Sequence, residues 1–290
     1  MNGFDPDNGR GDGSQDCGAF FLDALGPFSL DQVRVRWTDR PRPTTRDVEQ
    51  FIDTFWRRRT AQADAEGVRL WDGPLCRLIE YRSGSGTLEM TLGPTCFRDF
   101  VGTNLYNAHL RHLHGLDVLS NPVGVSGMVL TASGYLVLGR RSEAVAYHAG
   151  RIHPIGGCLE PLGDGKVPDP FAGIVAELEE ELGLESPSVT GVVCLGLVRD
   201  KRLVQPEMVF DVTVSASADE VRAALSGAAG QAEHAELVVV RDHPASVVSF
   251  MESHIDDLTP VALAGLLLHG LRRCGGGWFA SARGYLRSLI

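Results

Sequence analysis

The sequence lacks most of the patterns that would fix its chemistry at a glance. Its six cysteines are Cys17, Cys76, Cys96, Cys158, Cys194 and Cys274; they form no CxxC pair, and none stands at zinc-ligand spacing from a histidine. Scattered single cysteines suit a reducing compartment, so a cytoplasmic setting is expected. No HExxH occurs among the nine histidines, which excludes that zinc-hydrolase arrangement. His148, His153 and His234 are read as structural or solvent-facing. No apolar run approaches the roughly 20 residues of a membrane span. Residues 261–268, the longest such run, read as a packed helix. The N-terminal residues combine neither a basic start nor an apolar stretch, so no secretory signal is expected there. Basic charge is also short: 27 Lys and Arg stand against 37 Asp and Glu, a net charge of −10. An acidic surface does not suit extended contact with a nucleic-acid backbone. It still allows a small anionic ligand, because a metal and a few basic residues can reverse the local field. No internal repeat or helix-turn-helix pattern is present.

What remains is an ordinary globular composition over 290 residues, 43% hydrophobic and 22% charged, enough for a sizeable core. Residues 1–17 are rich in Gly, Asp and Asn and read as a disordered tail. Residues 18–119 are expected to form a smaller α+β domain that contributes to the substrate site. There, residues 28–37 alternate as a strand, and Thr44 or Thr45 caps a helix through Phe51, Ile52, Phe55 and Trp56. Residues 77–82 and 87–92 flank a Ser83-Gly84-Ser85-Gly86 hairpin turn, and residues 110–118 form a helix or connector. Residues 120–290 are expected to form the larger domain. It carries strands at 123–131, 135–140, 189–198, 208–215 and 237–240, and helices at 170–182, 218–225 and 259–271. Strands and helices mixed in this order predict an α/β sandwich, with helices on both sides of a mixed sheet.

The most informative stretch is Asp169-Pro-Phe-Ala-Gly-Ile-Val-Ala-Glu-Leu-Glu-Glu-Glu-Leu-Gly183. Asp169 is a helix cap, Pro170 suits a first turn, and Gly183 suits a left-handed stop. Phe171, Ile174, Val175, Leu178 and Leu182 make one apolar face. Glu177, Glu180 and Glu181 share another, being three and four residues apart. Three carboxylates near a helix C-terminus repel one another and oppose the helix dipole. A divalent cation would turn that cost into attraction, and carboxylate oxygens are the hard ligands that Mg²⁺ prefers. The plainer alternative is a solvated glutamate face.

The preceding loop weighs against the plainer alternative. Gly156-Gly157-Cys-Leu-Glu160-Pro161 followed by this helix resembles the Nudix box, in which a glycine and a glutamate precede an Arg-Glu-x-x-Glu-Glu-x-Gly helix. Glu177, Leu178, Glu180, Glu181, Gly183 and Leu184 match its second half. Two features depart from it. Ala176 stands at the arginine position, and 19 residues separate Gly157 from Glu177 where the pattern has 14. Phe97-Arg-Asp-Phe-Val-Gly-Thr-Asn104, Leu70-Trp-Asp-Gly-Pro74, Asn121-Pro-Val-Gly-Val125 and Leu138-Gly-Arg-Arg-Ser142 resemble segments of one Nudix branch, the UDP-glucose/UDP-galactose pyrophosphatases of animals and their plant relatives. That branch shares the enlarged loop and the missing arginine.

The resemblance implies a Nudix α/β/α sandwich preceded by the smaller domain. It also implies a pyrophosphohydrolase that cleaves a UDP-sugar to UMP and sugar 1-phosphate. Glu177 and Glu181 would bind Mg²⁺ directly and Glu180 as a further ligand, with Mn²⁺ as the alternative ion. Trp71 and Phe97 would meet the uracil, and Arg141 the diphosphate or base. Glu160 would touch the substrate or its surroundings, Val261 would line the pocket, and Glu207 would orient a metal-bound water. The plainer readings are core packing for Trp71 and Phe97, a solvated pair for Arg140 and Arg141, surface charge for Glu207, Glu233 and Glu236, and a structural ion pair for Arg98 and Asp99. Two functional alternatives remain beside this one: a hydrolase of another nucleotide derivative, and a catalytically silent nucleotide-sugar sensor. In every case the partner is a small molecule.

Overall fold

The computed structural model describes residues 14–65, 70–143, 145, 147–163 and 166–288. Most of the tail expected over residues 1–17 lies outside them. Within them, Gln15–Asp16 (β1) already pairs with Phe20–Phe28 (β2), and Cys17 is buried, so order begins earlier than expected. The apolar run Phe20-Phe21-Leu22 suits a strand covered on both faces, and all three residues are buried. The single strand expected over 28–37 is divided: β2 ends at Phe28, Ser29 opens a 3-10 turn over Leu30–Gln32, and Val33–Trp37 (β3) follows.

Helix Arg46–Ala65 (α1) starts where Thr45 Oγ1 accepts from the Val48 amide at 3.3 Å. Pro74–Gly84 (β4) and Thr87–Cys96 (β5) form the expected hairpin. Its two turn residues, Ser85 and Gly86, both have positive φ, the condition for a tight turn that matches strand twist. Phe97–Phe100 (α2) runs into a π-helical turn over Val101–Leu105, and Leu110–His114 (α3) follows. The larger part contains Gly124–Leu130 (β6), Tyr135–Arg141 (β7), Ile152–His153 (β8), Ile155–Cys158 (β9), Pro170–Leu182 (α4), Val189–Asp200 (β10), Pro206–Val214 (β11), Ala218–Ala224 (α5) and His234–Arg241 (β12). Three helices end the described chain: Pro244–Ser253 (α6), Pro260–Cys274 (α7) and Gly276–Arg287 (α8).

Among the described residues the main sheet has nine strands in the order β1-β2-β10-β11-β6-β7-β12, with β8 beside β7 and β9 beside β6. The β11–β6 pair is parallel and the other pairs are antiparallel, so the sheet is mixed as expected. A second sheet, β3-β5-β4, packs with α4 over one face of the main sheet. Leu78, Met90, Ile174, Leu178, Met208 and Phe210 share that core. On the other face α6, α7 and α8 bury Met128, Leu138, Met251 and Leu266. Sheet membership crosses the expected boundary at residue 120, because β2 pairs with β10. No helix among the described residues is long and apolar enough to cross a membrane.

Candidate active site

The site grows from the ends of α4. Asp169 accepts from the Phe171 amide at 2.9 Å, Pro170 occupies the first turn, and Gly183 closes the helix at φ 68°, ψ 22°. These local stops set which turn faces the sheet. Ile174, Leu178 and Leu182 are buried against it, and that packing carries Glu177 and Glu181 toward β9. The glycines of β9 make the approach possible. A Cβ on Gly157 would lie 2.5 Å from Glu177 Oε1, and one on Gly156 would lie 1.9 Å from the Val125 carbonyl oxygen. Any larger residue would push the helix or the neighbouring strand away.

Glu181 is 2% exposed; its Oε2 accepts from the Gly156 amide at 3.1 Å and stands 3.0 Å from His234 Nε2. Glu177 is partly buried. Burial pushes its carboxyl up to about 8, and the charges of Glu181, Glu180, Glu233 and Glu160 add to the effect. Glu207 opens β11 beside β6, where its Oε1 accepts from Ser126 Oγ at 2.6 Å. It lies over Gly124, whose Cβ would sit 2.0 Å from the carboxylate. Burial pushes Glu207 up to about 7, against the lowering effect of Ser126 and the Arg141 charge.

Arg141, at the end of β7, is the cation of this region. It is 6% exposed, donates from Nε to the Tyr147 carbonyl at 3.2 Å, and holds its guanidinium 5.0 Å from the Tyr147 ring centre. Its charge favours ionised Glu207 and Glu233. Together with burial it disfavours protonation of His148, which is lowered to about 4, and of His153, which is held well below its ordinary value. Burial likewise raises the thiol of Cys158, which lies within the field of Glu207 and Glu177.

The other expected residues are dispersed. Phe97 is partly buried and joins an aromatic series, Trp56–Phe97–Phe100–Tyr147, with ring centres 6.2, 6.1 and 5.7 Å apart, the outer two pairs edge-to-face and the middle pair tilted. That series connects α1 to the residue over Arg141. Trp71 is 66% exposed, and its ring lies over Gly73, whose carbonyl accepts from the Phe97 amide at 2.9 Å. Glu160 and Glu180 are exposed. Val261, in the first turn of α7, is buried in that helix's apolar core. Among the described residues no three His, Cys, Asp or Glu side chains are gathered as a metal-holding group. What the fold brings together is narrower than the expected set: Glu177 and Glu181 of α4 against β9, with Glu207 and Arg141 at the neighbouring strand ends. The donors suit a hard divalent cation in type and charge, being carboxylates whose mutual repulsion such an ion would relieve.

Ser126, Tyr147 and His234 were not among the expected site residues. A signal for His234 was present as glycine inside strand sequence, a mark of close approach by another group: Gly139 makes room for His234, as Gly124 does for Glu207. A cavity of about 670 Å³ lies elsewhere, between β2, β10 and β4, and none of these carboxylates lines it. Its buried charges, Asp23 and Arg199, are already paired at 2.8 Å.

No family model matches the chain. Curated proteins do. The uridine diphosphate glucose pyrophosphatase NUDT22 of Mus musculus is 28% identical over 278 residues, covering 84% of this chain and 87% of the mouse protein. Its Homo sapiens counterpart is 28% identical over 201 residues, 60% of this chain and 65% of that protein. Nudix hydrolase 9 of Arabidopsis thaliana is 27% identical over 177 residues, 52% of this chain and 57% of that protein. The mouse match therefore takes in most of both chains. On that ground the chain resembles the Nudix hydrolases, and among them the branch named for UDP-glucose.

Proposed function

We propose that the chain is a Mg²⁺-dependent pyrophosphohydrolase that cleaves a UDP-sugar of the UDP-glucose or UDP-galactose type, with water, to UMP and sugar 1-phosphate. The observation that carries this reading is the packing of Glu177 and Glu181 against Gly156-Gly157, with Glu207 and Arg141 beside them. Like charge is concentrated there beyond what Arg141 balances. The substrate class rests on the names of the relatives. Six unpaired cysteines support a cytoplasmic setting.

Glu177 and Glu181 would hold the cation, with exposed Glu180 as a further ligand; Mn²⁺ offers the same coordination chemistry. When bound, the ion supplies charge neutralisation at the diphosphate oxygens and acidifies a coordinated water. Glu207 would act as the general base. A carboxyl whose pKa is near 7 is well matched to taking a proton at neutral pH. Ser126 orients it through the 2.6 Å hydrogen bond. Arg141 would meet the diphosphate, its planar guanidinium suited to paired phosphate oxygens. Trp71 and Phe97 offer aromatic faces for the uracil, and Glu160 and Val261 would border the substrate.

The test is product chromatography across UDP-sugars, ADP-sugars, NADH, CoA and nucleoside triphosphates, with and without Mg²⁺. The expected result is UMP and sugar 1-phosphate from UDP-sugars alone, and only with metal. The double variant Glu177→Gln/Glu181→Gln should lose about a thousandfold or more in turnover, because several kcal/mol of charge stabilisation disappears. Retained turnover in that variant would overturn the metal assignment. Binding of UDP-sugars without any product from the wild type would overturn the hydrolase reading in favour of a sensor.

A further inference from the structure

We infer that His234 is the positioning residue for Glu181, fixing from β12 the carboxylate that α4 delivers. This rests on the reading of Glu181 as one of the metal-holding carboxylates. Two donors converge on Glu181 Oε2: the Gly156 amide at 3.1 Å and His234 Nε2 at 3.0 Å. A carboxylate only accepts, so the imidazole donates from Nε2. Among the described residues His234 Nδ1 is buried without a hydrogen-bond partner, so the contact with Glu181 is the polar contact the structure gives this ring.

The ring's position is built into the sheet. His234 pairs with Arg141 across β12 and β7, and a register shift separates it from Glu236. The imidazole lies over Gly139 of β7, where a Cβ would stand 2.1 Å from Nδ1. Imidazole and carboxylate are both nearly inaccessible, their side chains 1% and 2% exposed. The helix offers no equivalent support. Ala176, the residue before Glu177, is exposed and carries no donor, and no basic residue lies in the last turn of α4. Without His234, Glu181 would be held by one backbone amide while the neighbouring carboxylates repel it. With both donors on Oε2, Oε1 is the oxygen that would meet a cation.

The experiment compares His234→Leu, His234→Gln and Gly139→Ala with the wild type. Mn²⁺ affinity is read by calorimetry on substrate-free protein, and kcat and KM are measured separately on UDP-glucose. Leucine removes the donor and keeps bulk. Glutamine places an amide nitrogen where Nε2 was. Alanine at 139 drives the ring from its seat without altering His234. The expected result is a 10- to 100-fold loss of metal affinity in His234→Leu and Gly139→Ala, the usual cost of removing a ligand's hydrogen-bond support. The loss in turnover should appear in kcat rather than KM, and His234→Gln should stay within a few-fold of the wild type. Wild-type metal affinity in His234→Leu or Gly139→Ala would overturn the proposal. So would equal losses in the leucine and glutamine variants, which would assign the ring to packing alone. Should His234→Leu fail to fold, the other two variants decide. A wild type that neither binds Mn²⁺ nor turns over UDP-glucose would overturn the underlying function, and is told apart by needing no variant.

Discussion

Two charged regions of this molecule are built on opposite terms. Around α1 and α2, Arg42 donates to Glu49, Asp99 and the Val118 carbonyl, and Arg98 pairs with Asp53, Asp99 and Glu49. Each carboxylate there has a guanidinium within 3.3 Å, and burial is offset by ion pairing. Around β9, Glu177 has carboxylates as its electrostatic neighbours, and its carboxyl is pushed up rather than held down. Glu49, also partly buried, is lowered by its hydrogen bonds from Thr44 and by Arg42 and Arg98, even though burial acts in the other direction. The same residue type is driven opposite ways: Glu177, the more deeply buried, by burial and then like charge, and Glu49 by its cationic and hydroxyl partners. Balanced charge serves the fold, and unbalanced charge marks the place prepared for a ligand.

The largest effect is expected at Glu207. Glu207→Gln keeps the shape of the strand entrance but removes the proton acceptor, so kcat should fall by roughly 10²- to 10⁴-fold. The wild type should gain activity as pH rises through about 7, where Glu207 loses its proton. Measured pH–rate profiles should lose that limb in the variant. Unchanged profiles would show that the base lies elsewhere.

Next in size is the balanced network. Arg42 is 8% exposed. Arg42→Met would leave Glu49 and Asp99 short of their partner and should cost about 3 kcal/mol in denaturant unfolding, the scale for breaking a largely buried pair. Turnover per folded molecule should barely move. A variant as stable as the wild type would erase the contrast between the two regions.

The smallest effect concerns Glu177 and pH. Its folded pKa, about 8, lies above the ordinary value of 4.5, so the folded state keeps a proton that the unfolded state releases between those values. Stability is therefore greatest below about 4.5 for this group, and falls as pH rises toward 8. Removing the charge with Glu177→Gln should make the metal-free protein more stable than wild type at pH 8, on the order of 2 kcal/mol, and little different at pH 5. Thermal unfolding at the two values checks this. Adding Mg²⁺ should narrow the gap. A variant less stable at pH 8 would mean that the Glu177 carboxylate is stabilised, not strained, by its surroundings.

Local signals were legible wherever the physics is local. The cap, proline and terminal glycine of α4 lie within the helix's own sequence, and its expected span of 170–182 matches the structure. The β4–β5 turn and the Thr45 start of α1 were legible for the same reason. Strand β2 lacks the alternation of a half-exposed strand because β1 and β10 flank it and both its faces are covered. Helix α8 begins at Gly276-Gly277, poor helix formers, and holds its place by packing Ala282 and Leu286 against the other C-terminal helices.

The sequence by itself determined the acidic helix, its ends and the face its glutamates share, since these follow from 3.6-residue periodicity and end-capping chemistry. Only the tertiary structure decided which of those glutamates are buried, which stay in water, and what stands opposite them. Glu180 and Glu181 are adjacent in sequence, yet one is exposed and the other enclosed by β9 and β12. His234 reaches Glu181 across 53 residues, and Ser126 reaches Glu207 across 81. Those meetings depend on parallel pairing of β6 with β11 and on the seat that Gly139 leaves open, and strand order is not written in any short segment of the chain.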